Sequence, residues 1–213
     1  MNLFRKTRIL KIDSDEPEEE GIDIAADILK NGGLVAAPTE TVYGLGANLL
    51  NKKAVERVYR VKRRPKERPL TIHLSDMKIL NSMAAGISPV AQKLINRFWP
   101  GPLTIILYSK DGKKVGFRMP SGKIIRSLIE KSGVPVVMPS ANIFGNRPPK
   151  SARDVMDDLD NSIDMILDGG STELGIESTV IDTTVFPYRI LREGAISKAQ
   201  IKDAWHHSAP PSF

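Results

Sequence analysis

The 213-residue sequence contains no cysteine, and that one absence removes disulfides, thiolate metal sites and cysteine nucleophiles together. Histidine is almost as scarce. There are three, two of them adjacent at His206 and His207, so a multi-histidine metal site or a histidine-based triad lacks members. No stretch approaches the roughly 18 uninterrupted apolar residues of a membrane span, and Met1 to Lys11 lacks the apolar centre of a secretory signal. A cytosolic protein without membrane contact is the expectation. Two nucleotide motifs are missing as well: there is no GxxxxGK(S/T) phosphate loop, and Gly44-Leu45-Gly46 lacks the third glycine of the dinucleotide fingerprint.

What is present is positive charge. The formal net charge is +6, and the later loops are basic after an acidic run from Asp13 to Glu20. The excess is densest at Lys62-Arg63-Arg64-Pro65-Lys66-Glu67-Arg68-Pro69, between a helical pattern and a strand pattern. Such a loop suits a polyanion such as the triphosphate of ATP, because arginine forks onto phosphate oxygens and lysine supplies a mobile point charge. It equally suits a solvated helix C-terminus, where cations are favoured in any case. On the first reading Lys62 and Arg64 are exposed side chains.

Apolar spacing sets out an alternation of helices and strands. Ile24, Ile28 and Leu29 share a helical face that stops at Asn31-Gly32-Gly33, and Leu34 to Ala37 reads as a buried strand. Ala54, Val55, Val58 and Tyr59 make the stripe of a helix over 52–62. Leu70, Ile72 and Leu74 alternate with Thr71 and His73, which turns His73 towards the opposite, cavity side. Ser88-Pro89 starts a helix that ends at Trp99-Pro100, followed by a strand from Leu103 to Tyr108. Further strands end near Arg118 and Met138, with a helix around Ile124 to Ile129 between them. Ser151 and Asp154 have capping-box spacing for a helix to about Leu159. Strands over 163–167, 179–184 and 189–191 precede a last helix from about Ser197. This pattern predicts an α/β layered domain, a sheet covered by helices, over 1–206, with a loose tail over 207–213.

Polar segments gather where strands end: Thr39 to Tyr43, Arg118, Ser140 to Asn142, and Arg192. In open α/β sheets such ends line the ligand crevice, which makes one shared site the expectation. Ser140 and Asn142 could hold a ribose or a phosphate, or could serve as turn and capping residues. A site of cations and hydroxyls without an evident nucleophile implies transfer chemistry run by positioning and charge stabilisation.

Six segments together resemble the threonylcarbamoyl-AMP synthases of the YrdC/TsaC type. They are Pro38 to Gly46, Lys62-x-Arg64, Phe98 to Thr104, Ser140-x-Asn142, Glu177 to Asp182, and Leu191 to Ile196, in the family's order. The resemblance implies a twisted open mixed sheet covered by helices around a large, positively lined cavity, in which L-threonine, bicarbonate or CO2, and ATP with Mg²⁺ become threonylcarbamoyl-AMP and pyrophosphate, the first step of t6A modification of tRNA. It implies Thr41, His73, Arg118, Ser140 and Ser178 for threonine and its carbamate. It implies Lys62, Arg64, Arg68, Asn142, Ser151 and Arg192 for ATP, with Lys62 and Arg64 at the chemistry, no metal held by side chains, and a downstream transferase as partner. The loop Arg147-Pro148-Pro149-Lys150 is a candidate lid. Arg63 stands where a glycine is frequent and Glu193 where a proline is common. A relative that binds RNA in the same basic cavity without catalysis is the rival reading, and a carbamoyl-transfer module is a third.

Overall fold

The structure, a computed structural model, describes residues 6–206; the predicted tail over 207–213 lies outside the described residues. Ten strands form one sheet, introduced here with the helices in chain order: β1 (Arg8–Lys11), α1 (Glu19–Lys30), β2 (Val35–Ala37), β3 (Gly44–Asn48), α2 (Lys52–Val61), β4 (Ile72–His73), α3 (Met77–Met83), α4 (Pro89–Phe98), β5 (Leu103–Tyr108), β6 (Lys114–Arg118), α5 (Lys123–Ser132), β7 (Val136–Val137), α6 (Ala152–Leu159), β8 (Met165–Asp168), β9 (Thr179–Asp182), β10 (Arg189–Arg192) and α7 (Lys198–His206). The order across the sheet is β1-β8-β2-β3-β7-β4-β6-β5-β9-β10. Parallel pairs, such as β1 with β8 and β4 with β6, occur with antiparallel ones, such as β2 with β3 and β5 with β6. The sheet is mixed and covered by helices, as the resemblance implied.

Two cores, one on each face, follow from the alternation of side chains along the strands. In β2, Val35 and Ala37 join α1 and α5 on one face, and Ala36 joins α2, α4 and α6 on the other. In β8, Met165 and Leu167 divide from Ile166 in the same way. Central strands covered on both faces become continuous apolar runs, which is why Leu34 to Ala37 carries no polar residue. Among the described residues no helix is long and apolar enough to cross a membrane.

Two elements escape the sequence reading. β3 is Gly-Leu-Gly-Ala-Asn, whose glycines argue against a strand by propensity alone. Packing reverses that: a Cβ on Gly44 would strike the Met138 side chain, and one on Gly46 would lie 2.9 Å from Met138 Cε. The glycines let Met138 lie against β3. Helix α3 is only seven residues long, too short for a periodic pattern, and is started by the Asp76 side chain accepting from Lys78 N.

Candidate active site

Sheet topology brings the polar strand ends together. β4 and β6 run parallel with His73 opposite Arg118. β5 runs antiparallel to β6, so Thr104 at its start lies beside the end of β6. β9 is parallel to β5 with Thr179 opposite Leu103, which places Ser178 next to Thr104, and their hydroxyls are 2.8 Å apart. β10 returns antiparallel to β9 and carries Arg192 back to the same end. Segments more than a hundred residues apart thus line one cavity, among them Thr39, Arg64, Thr71, His73, Thr104, Arg118, Ser140, Glu177, Ser178 and Arg192.

The turn leaving β2 is built by Thr39. Its hydroxyl donates to Val42 O (2.7 Å) and accepts from the backbone N–H groups of Thr41 and Val42. That folding turns Glu40 and Thr41 inwards, where Arg118 Nη2 donates to Glu40 Oε1 (2.8 Å) and Thr41 Oγ1 (2.9 Å). Arg118 is only 4% exposed. Burial pulls its pKa down, and the opposing pull of the Glu40 carboxylate keeps the guanidinium charged. Beside it, burial and the Arg118 charge lower the His73 pKa to about 3. The imidazole is therefore neutral at any physiological pH, and its Nδ1 has no partner.

Lys62 corrects an expectation. It was read as an exposed end of the phosphate clamp, yet it is 1% exposed. As the residue ending α2, it lies one turn beyond Val58 on the buried stripe. Its Nζ donates to Ser140 O (2.5 Å), Asn142 O (2.6 Å) and Asn142 Oδ1 (3.3 Å). All three donors of the ammonium are thereby used on the 140–142 loop. Lys62-x-Arg64 and Ser140-x-Asn142, separate in the sequence, are one bonded unit. Burial, with the Arg64 charge adding to it, lowers the Lys62 pKa to about 8.

The other cations are tethered as well. Arg64 donates to Arg68 O and Pro69 O, and lies over the Phe144 ring at 5.5 Å. Arg192 donates to Glu177 Oε1 (2.6 Å) and to Ser178 O and Oγ. Because these side chains fold back onto carbonyls and carboxylates, the enclosed space is ≈ 90 Å³, where a large cavity was expected. That holds about three waters and falls short of the roughly 300 Å³ at which ligand pockets usually begin. A wider depression of ≈ 830 Å³ lies between the loop that follows Asn142, at Gly145, Asn146, Arg147, Pro148 and Lys150, and the acidic side chains Asp154, Asp157 and Asp158 of α6.

Of the residues proposed from sequence, Arg64, His73, Arg118, Ser140, Ser178 and Arg192 line the shared cavity. Thr41 stands behind Arg118, fully buried. Asn142 is buried, with Nδ2 on Asn146 O. Arg68 is exposed and outside the lining. Ser151 caps α6 in the predicted box with Asp154. The candidate lid is pinned at its end, since Pro149 O accepts from Tyr43 N and Lys150 O from Thr172 N. Arg63 adopts φ 51°, the left-handed region, which explains why a glycine suits that position. Sequence reasoning gave no role to Glu40, Thr104 or Glu177. Each lay inside a quoted motif, and the partner that gives it meaning is distant in the chain. No group of three or more metal-ligating side chains occurs among the described residues.

Known proteins resemble this chain in sequence and in fold. The profile of the Sua5/YciO/YrdC family, described as "Telomere recombination", matches residues 27–194. The chain is 44% identical over 194 residues to the threonylcarbamoyl-AMP synthase of Pyrococcus abyssi (strain GE5 / Orsay), covering 87% of this chain and 57% of that protein. It is 42% identical over 188 residues to the threonylcarbamoyl-AMP synthase of Bacillus subtilis (strain 168), covering 84% and 54%. The chain thus spans little more than half the length of these relatives. The crystal structure of P. abyssi Sua5 complexed with L-threonine superposes with a TM-score of 0.90 at 42% identity, over 93% of this chain and 61% of that one. That of Escherichia coli YciO superposes at 0.81 and 28% identity, over 89% and 96%.

Proposed function

Because the chain belongs to the Sua5/YciO/YrdC family, we propose that it is an L-threonylcarbamoyladenylate synthase, making threonylcarbamoyl-AMP for t6A modification of tRNA. The observation that carries this reading is the convergence of Arg64, Arg118 and Arg192 with His73, Ser140 and Ser178 on one cavity. Arg118 receives the threonine carboxylate, and the neutral imidazole of His73 with the Ser140 and Ser178 hydroxyls holds the polar remainder of the amino acid. Threonine's amine and CO2 form a carbamate with loss of a proton. A carbamate oxygen then attacks the α-phosphorus of ATP, and the bond to pyrophosphate breaks.

Two anions have to meet in that step. Arg64 and Arg192 at the cavity wall, with Lys62 behind Ser140 and Asn142, offset the repulsion and stabilise the departing pyrophosphate. Mg²⁺ arrives with the ATP phosphates as part of the substrate. The tethers of Arg64 and Arg192 to carbonyl oxygens and to Glu177 are exchanged for phosphate oxygens, which opens the cavity outward towards the loop over 145–150. Arg68, Asn142 and Ser151 are assigned to ATP in this reading. A transferase that carries the threonylcarbamoyl group to tRNA is the implied downstream partner.

Purified protein with ATP, Mg²⁺, L-threonine and bicarbonate should release pyrophosphate only when threonine is present. No threonine-dependent release, together with RNA binding that weakens steeply with salt, would replace this reading by that of an RNA-binding relative.

A further inference from the structure

Glu40 is a carboxylate 7% exposed, and only one of its oxygens is used by the protein. Oε1 accepts from Arg118 Nη2, and Oε2 has no hydrogen-bond partner. A buried carboxylate oxygen without a partner costs stability, so its retention asks for a role outside the core. The main chain of Glu40 is fixed, its carbonyl accepting from Leu174 N at 2.9 Å. The neighbouring Thr39 turn fixes the direction in which the side chain leaves.

Arg118 is held on three sides. Nη2 is shared by Glu40 and Thr41, and Nε donates to Gly101 O at 3.3 Å. Nη1 makes no hydrogen bond among the described residues, while Arg118 lines the cavity. We propose that Glu40 is a positioning residue for substrate selection: by locking Nη2 it presents the free Nη1 edge of Arg118 to the carboxylate of an α-amino acid. The proposal rests on the synthase reading given above. A guanidinium on a flexible stem loses much of its orienting value unless a second layer of groups holds it.

The pairing also sets the local charge. Glu40 and Arg118 together are neutral, so an incoming carboxylate is chosen by the geometry of one N–H edge rather than drawn in by an unpaired cation. Phosphate-bearing ligands, which need net positive charge, are left to Arg64, whose guanidinium is held by the Arg68 and Pro69 carbonyls and by no carboxylate.

Steady-state pyrophosphate release by the wild type, Glu40→Gln, Glu40→Ala and Arg118→Ala, each with L-threonine and with L-threoninamide, tests the assignment. Glu40→Gln keeps an acceptor oxygen for Nη2 and should raise the threonine KM by about 10-fold, and Glu40→Ala by about 100-fold, with the ATP KM changed less than about twofold. Threoninamide lacks the carboxylate, so all four proteins should use it alike. Glu40→Ala combined with Arg118→Ala should be no worse than Arg118→Ala alone, because the two act as one unit. Threonine and ATP KM values rising together, threoninamide turnover falling in step with threonine turnover, or a Gln variant that fails to fold by circular dichroism would each make Glu40 a fold residue and overturn the proposal. A wild type without threonine-dependent release brings down the synthase reading and this inference with it. Wild-type turnover with an unchanged threonine KM in Glu40→Gln overturns the inference alone.

Discussion

Replacing Lys62 by Met preserves the length of the side chain while removing its charge and its donors, and the two losses act in opposite directions. Burial has brought the Lys62 pKa from the ordinary 10.5 to about 8, which corresponds to about 3 kcal/mol disfavouring the charged form in the folded protein. Met relieves that penalty. It also strands Ser140 O and Asn142 O, at about 1–3 kcal/mol for each buried acceptor left unpaired. Near pH 7 the net effect lies between a gain of about 1 kcal/mol and a loss of about 3 kcal/mol. The pH dependence is sharper than the net value. Below pH 8 both folded and unfolded chains hold the proton, and the burial penalty is fully present. Between about 8 and 10.5 the folded protein releases the proton first, the unfolded chain binds more, and stability rises with pH. The wild type should therefore gain on Lys62→Met by up to about 3 kcal/mol across that interval, with a slope of at most about 1.4 kcal/mol per pH unit. Urea unfolding of both proteins at a series of pH values measures the difference, in which every other lysine and tyrosine cancels. Parallel stability profiles would refute the buried, proton-losing ammonium. The same substitution frees the Ser140 to Asn142 loop, so the ATP KM should rise even where stability is unchanged.

Arg63→Gly should raise stability by about 1 kcal/mol, because φ 51° strains a residue with a Cβ and not glycine; an unaltered melting temperature would contradict the strain. Ser151→Ala should cost about 1 kcal/mol through the lost α6 cap. Ser151→Asp should restore the cap yet weaken ATP binding by charge repulsion, and an unchanged ATP KM in Ser151→Asp would remove Ser151 from the nucleotide contacts. Gly194→Ala places a Cβ 2.6 Å from Ser178 C and 2.7 Å from Ser178 O. Backbone cannot yield as a side-chain tip can, so we expect a loss of about 1–3 kcal/mol with displacement of Arg192 and a higher ATP KM; a fully stable, fully active variant would show that the loop moves freely.

The sequence by itself determined the alternation of helices and strands, the helix starts at Ser88 and Ser151, and the cavity-facing side of β4. Each of these is written in local spacing: a period of two around His73, a proline at the first helical position, a serine three residues before an aspartate. Local spacing also located part of the lining, Thr39, Arg118, Ser140 and Arg192 among it, since polar residues at strand ends have few other places to go in an α/β sheet. What the tertiary structure alone decided is which of those polar groups are spent on one another. Lys62 looked like a solvent-facing clamp because it opens a loop of five cations, but helix geometry continues the Val58 stripe through it and burial turns it inward. β3 was hidden by glycines whose purpose is the Met138 side chain across the sheet. Glu40 was mute until Arg118, far along the chain, arrived beside it, and Glu177 until β10 folded back on β9 with Arg192. Pairing between distant charges depends on strand order and register, and no periodicity in one stretch of chain encodes a partner in another.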